Sequence, residues 1–316
     1  MLPADRIRVG CAPMANDTKP HQAKLQIVSG KGGVGKTLVA AALAQRLAAQ
    51  GEKTLLVSFE QRPIEHPFLG ITAAYKPQQM TQRLWLSRVD ARQALLEYVR
   101  RKVSFSLIYE GMLANPVTQK FLDALPLFDE LMCLGKLYDL TTHPDSGFDR
   151  VVFDAPATGH CRILLNVPAV ASATLAAGPI HHSSQQILSM LRDPALAELV
   201  IVTMAEETPV REALELREFA VEEAQIACST FWVNRFVECH IDEATQHQVR
   251  AAATQTPSLA PIAQALDLEQ SIAEDQAQQI AKLRAADVAL GFVQDSSDTG
   301  VDLLTHAIAA LQAELK

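Results

Sequence analysis

An excess of positive charge is the first thing this sequence lacks. Its 28 lysines and arginines stand against 36 aspartates and glutamates, a formal net charge of −8. No molecule-wide positive field exists to draw in a phosphate backbone, so nucleic acid is not an expected partner. Paired cysteines are lacking too. The five that occur, Cys11, Cys133, Cys161, Cys228 and Cys239, are odd in number and include no C-x-x-C pair. That pattern fits neither a zinc knuckle nor a disulfide framework, and the expected setting is a reducing cytoplasm. Long apolar runs are scarce. The uncharged stretch 163–180 has the length of a membrane span, but two prolines, Asn166, Ser172 and Thr174 interrupt it, so membrane contact is expected only indirectly. Repeats and low-complexity tracts are absent. With 48% hydrophobic and 20% charged residues in a chain of 316, the composition is that of a folded globular protein.

Short apolar runs at Leu25–Ser29, Thr54–Ser58, Leu84–Val89, Val151–Asp154, Leu199–Met204 and Phe231–Phe236 are spaced by helical stretches. This alternation predicts an α/β fold with a doubly wound, mostly parallel sheet flanked by helices. From Ala91 to Leu140 the apolar spacing changes to three and four, which predicts a helical insertion over about 91–145 inside a domain running 24–316. Residues 1–23 carry charges and prolines without an apolar core. They are expected to form a tail outside the fold, with Met14 an alternative start. At the other end Val301, Leu304, Ile308, Leu311 and Leu315 share one helical face. The nearby charges are Asp302, Glu314 and the single Lys316, so this helix is expected to pack on the sheet rather than lie on a membrane.

Gly30-Lys31-Gly32-Gly33-Val34-Gly35-Lys36-Thr37 matches G-x-x-x-x-G-K-[ST] in full, between a predicted strand and a predicted helix. The chain therefore reads as a P-loop NTPase. Backbone N–H groups of the loop and the helix N-terminus would cradle phosphates; Lys36 would reach the β- and γ-phosphates, and Thr37 would offer its hydroxyl to Mg2+. Asp154 ends a buried run, where open α/β sheets place their ligands, and is expected to hold Mg2+ through water. The loop 155–160 that follows is expected to respond when the γ-phosphate leaves. His181-His182 has no thiol or carboxylate at ligand spacing and is read as an exposed pair.

With Lys31 early in it, the GKGGVGKT string resembles the deviant phosphate loop shared by MinD, ParA, nitrogenase iron protein and ArsA relatives. That resemblance implies that Lys31 reaches across a dimer interface to the partner's nucleotide. Asp154-Ala-Pro-Ala-Thr-Gly-His160, followed by Arg162, Leu164 and Leu165, looks like the D-(T)-A-P-T-G-H-x-x-R-L-L stretch of the ArsA family, which includes the arsenite-pump ATPase and the guided-entry targeting ATPase. Val233-Asn234-Arg235 is similar to the family's Val-Asn-Gln/Arg element and implies that Asn234 reads adenine. Where family members carry Ser-Thr-Asp-Pro-Ala, this chain has Ser58-Phe59-Glu60-Gln61-Arg62, so Glu60 stands in for the water-positioning aspartate. The zinc-clamping C-x-x-C of the targeting ATPase is missing. The resemblance implies an ATP-hydrolysing switch, a homodimer or a heterodimer with a paralogue, acting on an unidentified protein or anion client whose groove would draw on Phe105–Leu113 and Phe121–Leu137. Two alternatives remain at this stage: a MinD/ParA-type positioning ATPase, and an iron–sulfur reductase resembling the nitrogenase iron protein, with Cys161 as a ligand.

Overall fold

The computed structural model describes residues 23–59, 66–102, 115, 127–237, 243–295, 304–305 and 307–309. Among them, strands β1 (Leu25–Gly30), β2 (Thr54–Ser58), β3 (Gln78–Gln79), β4 (Leu84–Arg88), β5 (Arg150–Asp154), β6 (Ala197–Met204), β7 (Ala227–Phe236) and β8 (Ala289–Gln294) form one sheet in the order 3-4-2-5-1-6-7-8. Every pairing is parallel except β3 with β4. The sheet is the expected α/β P-loop NTPase architecture.

The central strands are apolar at nearly every position because both faces are covered, as parallel sheets require. Alternation sorts their side chains between two cores. Ile27, Val57, Phe153, Ile201 and Val233 enter one; Val28, Leu56, Val152, Val202 and Trp232 enter the other. The second core is closed by helix α1 (Lys36–Ala49), whose Leu38, Val39, Leu43 and Leu47 are buried. Of the helices α2 (Ala91–Lys102), α3 (Phe128–Thr142), α4 (Thr158–Thr174), α5 (Pro179–Arg192) and α6 (Glu207–Glu218), the last four supply the first core's helical side, with Leu134, Leu165, Ile187 and Leu216. Helices α7 (Glu243–Gln255) and α8 (Ala260–Arg284) lie between β7 and β8 in sequence.

Six strands fall where the alternation of apolar runs predicts them, and β3 and β8 were not anticipated. The two glutamines of β3 are exposed and carry no apolar signature, whereas the edge strand β8 has an apolar run, Val288–Val293, lying beyond the polar, acidic stretch that follows Gln264. Helices α2 and α3 lie within the predicted helical insertion, and Cys133, Leu134, Leu137 and Leu140 of α3 share a core with Val151 and Phe153. Most of the expected client groove, 105–113 and 121–126, lies outside the described residues. The stretch 163–180 is divided between α4, which continues through Pro168, and α5, which begins at Pro179. No described helix is long and apolar enough to cross a membrane. Of the C-terminal apolar face, Leu304 is buried in the α1-side core together with Ala307.

Candidate functional site

The loop after β1 is built on two glycines that no other residue could replace without movement. A Cβ on Gly30 would run into the Val202 carbonyl of the neighbouring strand. Gly35 stands before α1 with φ 91° in the left-handed region, and a Cβ there would run into the Asn234 amide. The chain can therefore turn from strand to helix in five residues. Helix α1 has no side-chain cap on its N-terminus and no acidic residue in its first turn. Its free N–H groups and positive dipole end are left for an anion.

Lys36 and Thr37 open that helix. The Lys36 ammonium donates to the Lys31 carbonyl across the loop at 3.2 Å. Burial lowers its pKa below the ordinary lysine value, and the nearby Asp154 charge offsets part of that. Thr37 donates its hydroxyl to Asp154 Oδ2 at 2.8 Å. Asp154 reaches this position because β5 runs parallel to β1 and β2, pairing Asp154 with both Val28 and Ser58. Two hard oxygens side by side at the mouth of a phosphate-shaped loop fit Mg2+, which takes few protein oxygens and retains waters and phosphate ligands.

Lys31 is engaged within its own chain. Its ammonium forms an ion pair with Glu212 Oε1 of α6, while Thr158 Oγ1 donates to Glu212 Oε2 at 2.8 Å. The Lys31 hydrogen bond, followed by that of Thr158, holds the Glu212 carboxyl below the ordinary glutamate value, against partial desolvation. Glu212 thus ties the early loop lysine to the first residue of α4. It was missed at the sequence level because Glu206, Glu207, Glu215 and Glu218 surround it on one short stretch, and nothing local distinguishes the one that faces the loop.

Only residues 155–157 form the loop between β5 and α4; Thr158–His160, expected in that loop, open α4, and this junction is held from both sides. Ser29 Oγ donates to the Pro156 carbonyl at 2.8 Å, and His160 contacts Glu130 of α3 at 2.8 Å. Phe59 lies edge-on to both Phe153 and His160, which brings the exit of β2 beside this loop. Glu60 is the next residue and lies outside the described ones. Cys161 is fully buried, and desolvation pushes its thiol up to about 11 against the opposing pull of Ser29 and Lys36; at neutral pH it is a protonated thiol. Asn234 lies 4% exposed at the end of β7, its Nδ2 donating to the Val34 carbonyl at 2.9 Å. The structure therefore gathers Lys31, Lys36, Thr37, Asp154 and Asn234 around one loop.

The sequence model of the anion-transporting ATPase family matches residues 23–190, more than half of the chain. ATPase BagA of Mycobacterium tuberculosis is 29% identical over 233 residues, covering 69% of this chain and 67% of that protein. The arsenical pump-driving ATPase of Escherichia coli is 27% identical over 209 residues, 65% of this chain and 33% of the pump protein. ATPase GET3C of Arabidopsis thaliana is 27% identical over 164 residues, 47% of this chain and 42% of that protein.

Proposed function

This chain belongs to the anion-transporting ATPase family, and we propose that it is a cytoplasmic ATP-hydrolysing switch in which MgATP draws two chains together and hydrolysis lets them part. The observation that carries this reading is the Thr37–Asp154 oxygen pair at 2.8 Å, set beside Lys36 at the uncapped start of α1. In this proposal Lys36 and the loop N–H groups hold the β- and γ-phosphates, and Thr37 and Asp154 hold the metal. Mg2+, when bound, neutralises phosphate charge and fixes the phosphates' orientation. A single phosphate-binding loop per chain makes pairing the natural route to a closed site, with a second copy of the chain as the simplest partner. Lys31 would then leave Glu212 for the partner's phosphates, releasing Thr158 and the start of α4. The client, a protein or an anion, would respond to that release.

Glu60 is proposed to orient the attacking water. The support is its position two residues beyond Ser58, which pairs with Asp154 at the C-terminal edge of the sheet. Because phosphoryl transfer depends on alignment, Glu60→Gln is expected to slow phosphate release by roughly tenfold to a hundredfold while leaving MgATP affinity unchanged. Steady-state phosphate release alongside calorimetric titration checks this. Parental turnover in the variant would remove Glu60 from the reaction.

A further inference from the structure

Asn234 has a second task in the geometry of β7. Alternation along this strand sends Phe231 and Val233 into one core and Trp232 into the other, so Asn234 follows Trp232 onto the α1 face, where the phosphate-binding loop lies. Here the strand departs from regularity. Val233 pairs with Phe292 and Phe236 with Gln294, so β7 carries one more residue than β8 between those pairs. Arg235, within this bulge, has φ 54°, a left-handed conformation that a non-glycine residue adopts only where surrounding structure demands it. Beside the bulge, Asn234 still pairs in register with Met204 of β6, and its buried amide donates to the Val34 carbonyl, 200 residues away in sequence. The contact is close on the other side as well, since Gly35 must lack a side chain to make room for Nδ2.

We propose that Asn234 is a positioning residue for the phosphate-binding loop: by holding the Val34 carbonyl it fixes the Val34–Gly35 peptide plane, and with it the N–H groups offered to phosphate. The C=O and N–H of a trans peptide point in opposite directions. With the carbonyl turned to Asn234, the Gly35 N–H is turned away from it and left for a phosphate oxygen. The amide retains a second N–H and its oxygen, so a contact with the base is compatible with this task. The base-reading end of the sheet and the phosphate loop are thereby joined by one side chain. This inference rests on the nucleotide-site reading above but makes a claim that reading does not need: the effect of Asn234 extends to ligands with no base.

The test is calorimetric titration of the parent, Asn234→Ala and Asn234→Asp with MgATP, MgGTP and magnesium tripolyphosphate, with thermal midpoints recorded for each protein. Asn234→Asp keeps the side-chain shape but replaces the donor with an oxygen facing a carbonyl. The expected result is a loss of tripolyphosphate affinity of roughly threefold to tenfold in Asn234→Ala, as for one buried hydrogen bond, and at least as large a loss in Asn234→Asp. ATP and GTP should weaken by no smaller factors. A role confined to stability would lower the midpoint and leave all three affinities alone. Loss of ATP affinity with tripolyphosphate unaffected would make Asn234 a base reader only and overturn the inference. Failure of the parent to bind any of the three ligands would overturn the nucleotide-site reading, and this inference with it.

Discussion

Replacing Lys36 by alanine is expected to weaken MgATP binding by about a hundredfold, on the order of 3 kcal/mol, as befits hydrogen bonds between a charged donor and phosphate oxygens. The ammonium is held in readiness at a disadvantage. Its hydrogen bond to the Lys31 carbonyl at 3.2 Å is long, and burial disfavours its charge. A polyphosphate arriving in the loop would add counter-charge to that of Asp154, so binding recovers more of what desolvation withheld. Because the phosphates favour the charged lysine, affinity should be full below the free-site pKa of Lys36. It should decline as pH rises from there toward the higher pKa of the bound state. Arginine is not expected to rescue the alanine variant, because its planar fork is larger and shaped differently from a point ammonium. Calorimetry on the parent and Lys36→Ala gives the comparison, and equal affinities would remove the phosphates from this loop.

The second large effect is expected at Asp154, on catalysis more than on nucleotide affinity. Asp154→Asn preserves size and leaves an oxygen to accept the Thr37 hydroxyl bond now measured at 2.8 Å, so the fold should persist. What disappears is the negative charge beside the metal position. Turnover should fall by roughly a hundredfold to a thousandfold, the range seen when a transition-state electrostatic contact is removed. Half-maximal activity should require at least about tenfold more Mg2+, given the loss of a charged ligand worth over 1.4 kcal/mol. ATP titrated without Mg2+ should bind as well as before or better, since one negative charge near the phosphates has gone. Phosphate release measured across a Mg2+ series separates these outcomes. An unchanged Mg2+ requirement at parental turnover would show that Asp154 has no part in holding the metal.

Much of this site was legible in the sequence because its parts are local. A phosphate-binding loop is a contiguous string whose glycines and lysine report their own geometry, and Asp154 ends an apolar run that could only be a covered strand. Contacts between distant segments were not legible. Glu212 meets Lys31 through a helix 181 residues farther along the chain, and only the placement of α6 next to β1 selects it from its neighbours. Asn234 was visible as a strand-end residue similar to a family element, but its bond to Val34 joins segments 200 residues apart. Periodicity cannot foresee either. The edge strand β8 does carry a short apolar run, Val288–Val293, but it lies beyond the polar, acidic stretch that follows Gln264 and so did not stand out as part of the sheet.

In the proposed switch, Lys31 exchanges Glu212 of its own chain for phosphates held by a partner. Sedimentation velocity of the purified chain with MgADP, with a slowly hydrolysed MgATP analogue, and with that analogue on Lys31→Ala tests the exchange most directly. The predicted result is a one-chain species with MgADP and a two-chain species with the analogue. Lys31→Ala should bind the analogue yet remain a one-chain species. One sedimenting species of the same size in all three samples would contradict nucleotide-driven pairing through Lys31.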